Sequence, residues 1–518
     1  MAVVLLAVVL LPVRDLVQAK TKAEGPFSFE TVVAKAREMA KAPYADPAPL
    51  PRELIDTDYD DWRDIRFKPE NSLWRGEGLP VELQWFHPGF LYQQTVDVHL
   101  VEGGKVRPLV VTRDMFDYGR NQDLEQTMPE AEAVGVAGFR VHGPINTPQY
   151  FDEYLVFLGA SYLRAVARGE RYGCSARGLA VDTATPRGEE FPWFREFWIQ
   201  KPRKGESEMW IYALLDSQSL CGAYAFRVRP GEETVIDVSA RIFLRRKVDK
   251  LGLGPLTSMF FYGENSPPSP IRDWRPEVHD SDGLMIRFAS GEWLWRPLQN
   301  PQTLEMATFQ ADDVRGFGFM QRDTDFDHYQ DLEARYELRP SVWIEPRKGW
   351  GAGHIELVQI PSQREYHDNM VAYWCPDVLP EDGQPLKVEY RMRWMNARGM
   401  TPPGAHVAAT RASRVDERTR LFIVDFEGEN LLALPPGAGV SAVVSCAEGG
   451  EIVESQAFRN EATGGWRLVF KVVMDSRGAL QSMLPGRDQP LELRAFLKYH
   501  NEALSETWSY AVRPGNEP

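Results

Sequence analysis

Apolar and polar residues alternate along much of this chain. In TVIDVSARIFLR (234–245), Ile236, Val238, Ala240 and Ile242 fall on one face, and Val235, Asp237, Ser239 and Arg241 on the other. That period of two predicts a strand with one buried side. LKVEYRMRW (386–394) repeats it, with Leu386, Val388, Tyr390, Met392 and Trp394 set against charged neighbours. HIELVQI (354–360), LFIVDF (421–426), WRLVFKVVM (466–474) and LELRAFLKY (491–499) predict further strands. One early segment has a different period. Phe29, Val32, Val33, Ala36, Met39 and Ala40 recur at helical spacing, Ser28 is placed to cap, and Pro43 follows the end.

With 41 Gly and 38 Pro between the runs, the pattern predicts an all-β chain built on a large antiparallel sandwich. MNARGMTPPGAHV (395–407) interrupts the periodicity with glycine and two prolines, the composition of a linker. The expected division is a leader at 1–25, a large sandwich at 26–398 and a small immunoglobulin-like sandwich at 399–518. A length of 518 residues agrees with more than one core.

The leader is expected from Ala2 to Val13, an apolar run too short to span a bilayer. Val17-Gln18-Ala19 offers a cleavage site, although the basic residues usual before such a run are missing. An exported protein is the reading, not transmembrane once cleaved. A net charge of −15 argues against nucleic acid, because phosphate binding needs a basic face. The 15 Trp, 18 Tyr and 26 Phe serve core packing first and leave some rings for flat ligands such as sugars. Cys174, Cys221, Cys375 and Cys446 form no short-spaced pair, so disulfides and isolated thiols both stay open.

Several catalytic signatures fail on spacing. Gly173-Cys174-Ser175-Ala176-Arg177-Gly178 lacks the glycine two residues after serine that a nucleophile elbow needs. Asp323-x-Asp325-x-Asp327 begins like a calcium loop, but His328 replaces the required glycine and Ala334 the closing glutamate, so it reads as an acidic turn. No histidine pair has ligand spacing, and neither a metal nor a cofactor is expected.

Acids and aromatics concentrate in three segments. VHDSDGLMI (278–286) leads into GEWLWRPLQNP (291–301); DFDHYQDLEARYELRPSVWIEP spans 325–346; SQREYHDNMVAYW spans 362–374. Two carboxyl groups flanked by aromatics are what glycosidic cleavage requires, one to protonate the leaving oxygen and one to activate water. Read from residues alone, the cheaper explanation is that the aspartates cap turns.

These segments also carry a family likeness. LGASYLRAV (158–166), YGCSARGLAVDTATPRGEEFPWFREFW (172–198), LGPLTSMFFYGEN (253–265), VHDSDGL (278–284), GFGFMQRDTDFDHYQD (316–331), YELRPSVWIEP (336–346) and LSETWSY (504–510) occur in an order that resembles the periplasmic glucans biosynthesis proteins of types G and D. The resemblance runs from about Phe27 to the C-terminus. It implies a periplasmic protein of Gram-negative bacteria, a galactose-mutarotase-like sandwich followed by the immunoglobulin-like module, and a role in making osmoregulated periplasmic glucans with β-1,2-linked backbones. Some members resemble inverting β-1,2-glucanases. Carried over by motif, Asp368 becomes the general acid, Asp280 the general base, and Tyr336 part of the proton path between water and base. The implied partners are β-1,2-glucan and the inner-membrane glucan synthase, and a protein that only holds glucan is the alternative. Glu365, Tyr329, Asp331, Trp293, Trp295, Arg296 and Trp343 are the expected sugar contacts. Asp368 should need a raised pKa, supplied by burial or by Glu365, and Asp280 should stay ionised with help from His279 or Arg272.

Overall fold

The computed structural model describes residues 26–127, 135–266, 273–380, 383–396, 399–435, 437–475 and 490–512. The expected leader and Arg272 lie outside the described residues. The chain is all-β, as its alternation predicts. The strand over 234–245 forms as Thr234–Leu244, with Ile236, Val238, Ala240 and Ile242 buried. The other five predicted runs form strands at Gly353–Gln359, Leu386–Met395, Thr419–Glu427, Trp466–Met474 and Leu491–Tyr499.

Two large sheets, of ten and fifteen strands, face each other across the main core. Phe139, Val141, Leu155 and Phe157 of the first sheet pack with Phe194, Phe197, Ile211 and Phe226 of the second. Burying such side chains is worth about 1.5–3 kcal/mol each, the dominant favourable contribution to the sandwich. The helix Phe29–Ala40 lies outside the fifteen-stranded sheet. It buries Val32, Val33 and Ala36 against Trp198, Leu214, Ala223 and Phe243.

The C-terminal part adds a four-stranded sheet of His406–Arg414, Thr419–Glu427, Trp466–Met474 and Gly450–Arg459. Its other face is built by Val440–Cys446, Leu491–Tyr499 and Thr507–Val512. The last of these pairs in parallel with Trp293–Pro297, through Leu294–Thr507 and Trp295–Trp508, so the fifteen-stranded sheet runs on into this module. A second core fills the joint, in which Met285, Trp295, Met320 and Trp343 meet Phe422, Phe470 and Trp508. Among the described residues no helix is long and apolar enough to cross a membrane.

Candidate active site

Four neighbouring strands of the ten-stranded sheet, Tyr162–Ala165, Ser175–Arg177, Leu251–Ser258 and Met370–Pro376, run antiparallel in that order. Alternating direction brings Arg164, Gly173, Met259 and Asp368 to the same end of the sheet. The turn after Val278–His279 and the short helix Tyr336–Leu338 close over that end. The result is a groove of about 500 Å³ lined by Asp280, Asp331, Tyr336, Arg339, Glu365 and Asp368, together with Arg164 and Tyr172. Five of the residues singled out in the sequence therefore share one cavity. A second cavity, about 600 Å³ around Glu189, Phe191 and Arg246, contains none of them.

The two ends of the HDSDG turn do different jobs. Asp282 accepts hydrogen bonds from the backbone N–H groups of Arg322 and Asp323 at 2.8 and 2.9 Å, the capping that a turn aspartate is expected to do. Asp280 instead reaches the groove. It is 4% exposed, its N–H donates to the Met259 carbonyl at 2.8 Å, and its carboxylate is ion-paired with Arg339. Burial pushes the Asp280 carboxyl above the usual carboxylate range, the Arg339 guanidinium opposes that, and the negative charge of Asp368 adds to the rise. The Asp368 charge is thus close enough to act on Asp280. Behind the turn, His279 stacks on Phe260 and bonds Glu277 at 2.8 Å and Gln321 at 3.0 Å. Burial alone would lower its pKa, but the hydrogen bond and charge of Glu277 outweigh burial and hold it up to about 9. His279 is therefore a buried cation behind the turn, and its charge acts on Asp282, whereas the basic groups that act on Asp280 are Arg339 and Arg164.

Arg339 does more than pair with Asp280. Its guanidinium also lies over the Tyr336 ring, 4.2 Å from the centroid. Arg335, at a left-handed φ of 47°, begins the turn that presents both side chains. Gly173 makes room for them: a Cβ there would stand 3.0 Å from the Arg339 Cβ. Next to Gly173, the Cys174 thiol is buried within reach of Ser281 Oγ at 2.9 Å and Ser258 Oγ at 3.3 Å. Burial, and after it the charge of Asp280, pushes that thiol up to about 12, so it stays protonated and serves packing.

Asp368 stands in a different environment. Its side chain is 31% exposed, and Arg164 Nη2 approaches Oδ2 at 3.3 Å. Arg164 is itself held by Ser175, whose Oγ accepts from Nε at 2.6 Å. Glu365 is engaged elsewhere: Arg275 takes it at 2.6 Å and also binds Asp331 at 2.9 Å. His367 turns away as well: its ring packs edge-on against Tyr366, with Nδ1 3.4 Å from Ser362 Oγ. What fixes Asp368 is the next residue. Buried Asn369 accepts from the Phe260 N–H at 2.9 Å and donates to the Phe260 and Ile360 carbonyls at 3.0 and 3.1 Å. Met259 holds Asp280 and Phe260 holds Asn369, so a single dipeptide sets both acids relative to each other.

The remaining expected contacts are not in the groove. Tyr329 is buried behind Tyr336, ring to ring at 5.9 Å, with its hydroxyl donating to the Asp323 carbonyl at 3.1 Å. Trp295 and Trp343 are 4% and 2% exposed in the second core, and Trp293 stacks on Trp343 at 6.0 Å. Arg296 makes a bidentate pair with Glu492 at 2.6 and 3.0 Å. These four fasten the C-terminal module to the large sandwich. The aspartate run at 323–327 is a capped turn, in which Asp325 accepts from the Asp327 N–H at 2.9 Å. Arg164, Arg339 and Asn369 were not among the expected site residues, although each lies inside a segment that carries the family likeness.

A family profile described as periplasmic glucan biosynthesis protein, MdoG, matches residues 27–512. The chain belongs to this family. It is 45% identical to the glucans biosynthesis protein G of Ralstonia nicotianae, over 98% of this chain and 100% of that one. It is 43% identical to the protein of the same name from Pectobacterium atrosepticum, over 95% and 94% of the two chains. A galactose mutarotase related enzyme from Lactobacillus acidophilus, of known structure, matches 48% of this chain and 99% of its own at 8% identity, with a TM-score of 0.15, too low to carry fold or function across. Membership in the family gives the protein a role in periplasmic glucan biosynthesis.

Proposed function

We propose that the protein acts on β-1,2-linked glucan backbones in the periplasm of a Gram-negative bacterium, as an inverting hydrolase or transglycosylase. Asp368 is the general acid and Asp280 the general base. The observation that carries this reading is the shared groove, which draws Asp280 and Asp368 from distant segments and leaves the first buried and the second open. An inverting pair stands roughly 6.5–9.5 Å apart with water between the base and the sugar. In this reading Asp368 donates a proton to the glycosidic oxygen from the open side. Water on the opposite side of the sugar gives its proton to Asp280, and the Tyr336 hydroxyl relays it. Arg339 keeps Asp280 in the carboxylate form that a base needs. The protein is exported by the segment at 1–25, and the inner-membrane glucan synthase supplies its substrate.

A second reading rests on Arg164. It pairs with Asp368 at 3.3 Å, and an acid engaged in an ion pair suits a groove that holds nascent glucan for the synthase without cutting it. Incubation with linear β-1,2-glucan separates the two. New reducing ends, or a changed size distribution, are expected from the first. Unchanged glucan after long incubation at high protein concentration, with binding retained, leaves only the second.

A further inference from the structure

We propose that His354, Glu356 and Cys375 form a binding site for a borderline divalent cation, zinc above all, at the far end of the hairpin that carries Asp368. The site is built across two strands, which is why sequence spacing does not reveal it. Gly353–Gln359 pairs with Met370–Pro376 so that His354 faces Cys375 and Glu356 faces Tyr373. His354 and Glu356, two apart on one strand, share a sheet face with the residues opposite them. A nitrogen of His354, the Cys375 sulfur and a Glu356 oxygen all lie within 4.8 Å of one another. Imidazole, thiolate and carboxylate together suit zinc, with a fourth position left for water. Closing on the ion shortens these separations by about 1 Å at most, since tetrahedral ligands at ~2.0–2.3 Å from zinc lie about 3.5 Å apart.

A second observation is the thiol itself. Cys375 is 4% exposed, and among the described residues its sulfur has no hydrogen-bond partner. The other two donors are already oriented. Lys250 at 2.5 Å and the Tyr373 hydroxyl at 2.9 Å hold Glu356 Oε1, while Oε2 faces His354 Nε2 at 3.7 Å. On the other side of the ring, Asp377 Oδ1 lies 3.9 Å from Nδ1, and Asp377 in turn accepts from Gln310 at 3.2 Å. A carboxylate behind a ligating imidazole is the usual support of such sites. With the thiol ionised, three anions face one ammonium, an excess that a divalent cation cancels. On binding, the sulfur gives its proton to solvent and its lone pair to the ion. His354 is a quarter exposed and leaves a way in.

The site lies five residue pairs from the Gln359–Met370 end of the hairpin, about 17 Å at strand rise. A bound ion ties the two strands together there, while the loop at the other end presents Asp368. The claim does not depend on glucan cleavage. It is tested by stripping the full-length protein with chelator and reductant, then titrating it with cobalt(II) and zinc. One equivalent of cobalt should give a sulfur-to-metal charge-transfer band, displaced by zinc, and zinc should raise the melting temperature. Cys375→Ser should abolish the band, and Cys446→Ser should leave it intact. His354→Gln, at a partly exposed ring that the fold tolerates, should weaken binding about 10–100-fold and remove the zinc-induced shift in melting. No band in the wild type, a band surviving Cys375→Ser, or unchanged zinc affinity in His354→Gln overturns the site.

Discussion

Asp280 and Asp368, both in the groove, are held in opposite ways. Asp280 is buried and clamped by Arg339, on a turn whose other aspartate, Asp282, faces the cationic His279. Asp368 is open to solvent, touched by one half-exposed arginine and positioned only through its neighbour Asn369. In the proposed mechanism the base has to begin each cycle charged so that it can take the proton of water, and a buried ion pair favours that starting state. An acid has to gain and lose a proton, and exposure lets it exchange with solvent until substrate covers it. Asp280 therefore carries structural weight, whereas Asp368 can change with little effect on the fold.

The sharpest challenge to this contrast is Arg339→Met. It strands a buried carboxylate and should cost about 3–5 kcal/mol of stability, read from denaturant unfolding. A cost under ~1 kcal/mol would show that Asp280 is not held by charge. Next in size is pH. His279 has a folded pKa of about 9, above its ordinary value of 6.5. Its contribution is therefore complete below pH ~6.5 and is lost as pH rises through about 9, amounting to ~3 kcal/mol. Unfolding free energy should fall across that window in the wild type and fall less in His279→Gln; equal slopes would remove the buried cation from the account. Asn369→Ala leaves buried Phe260 groups unpaired, at roughly 1–3 kcal/mol each, and lets the Asp368 loop drift. Turnover on glucan should then drop by more than the stability loss alone accounts for. The smallest effect is expected from Arg164→Met, since an exposed ion pair is worth about 0–1 kcal/mol. A large loss there would erase the distinction between the two acids.

Much of the architecture could be read from periodicity, because each strand with one buried face records that burial in every second residue, as Thr234–Leu244 does. The groove was legible through motif strings, since a turn such as HDSDG does not itself say which aspartate caps and which faces a cavity. The tryptophans were harder. Trp293, Trp295 and Trp343 sit where the parallel pairing of Leu294 with Thr507 joins the two modules. Nothing local distinguishes a ring that packs such a joint from one that stacks on sugar. Asn369 is hidden for a similar reason: its three hydrogen bonds go to backbone groups, which leave no mark in the sequence.

The most direct test of the central claim is the release of reducing ends from linear β-1,2-glucan by the wild type and by Asp368→Asn. The wild type should cleave or transfer glucan. The variant should keep its fold and its glucan binding and lose turnover about 10²–10⁴-fold, the range of general acid catalysis. Full activity in Asp368→Asn, or an inactive wild type that still binds glucan, would contradict it.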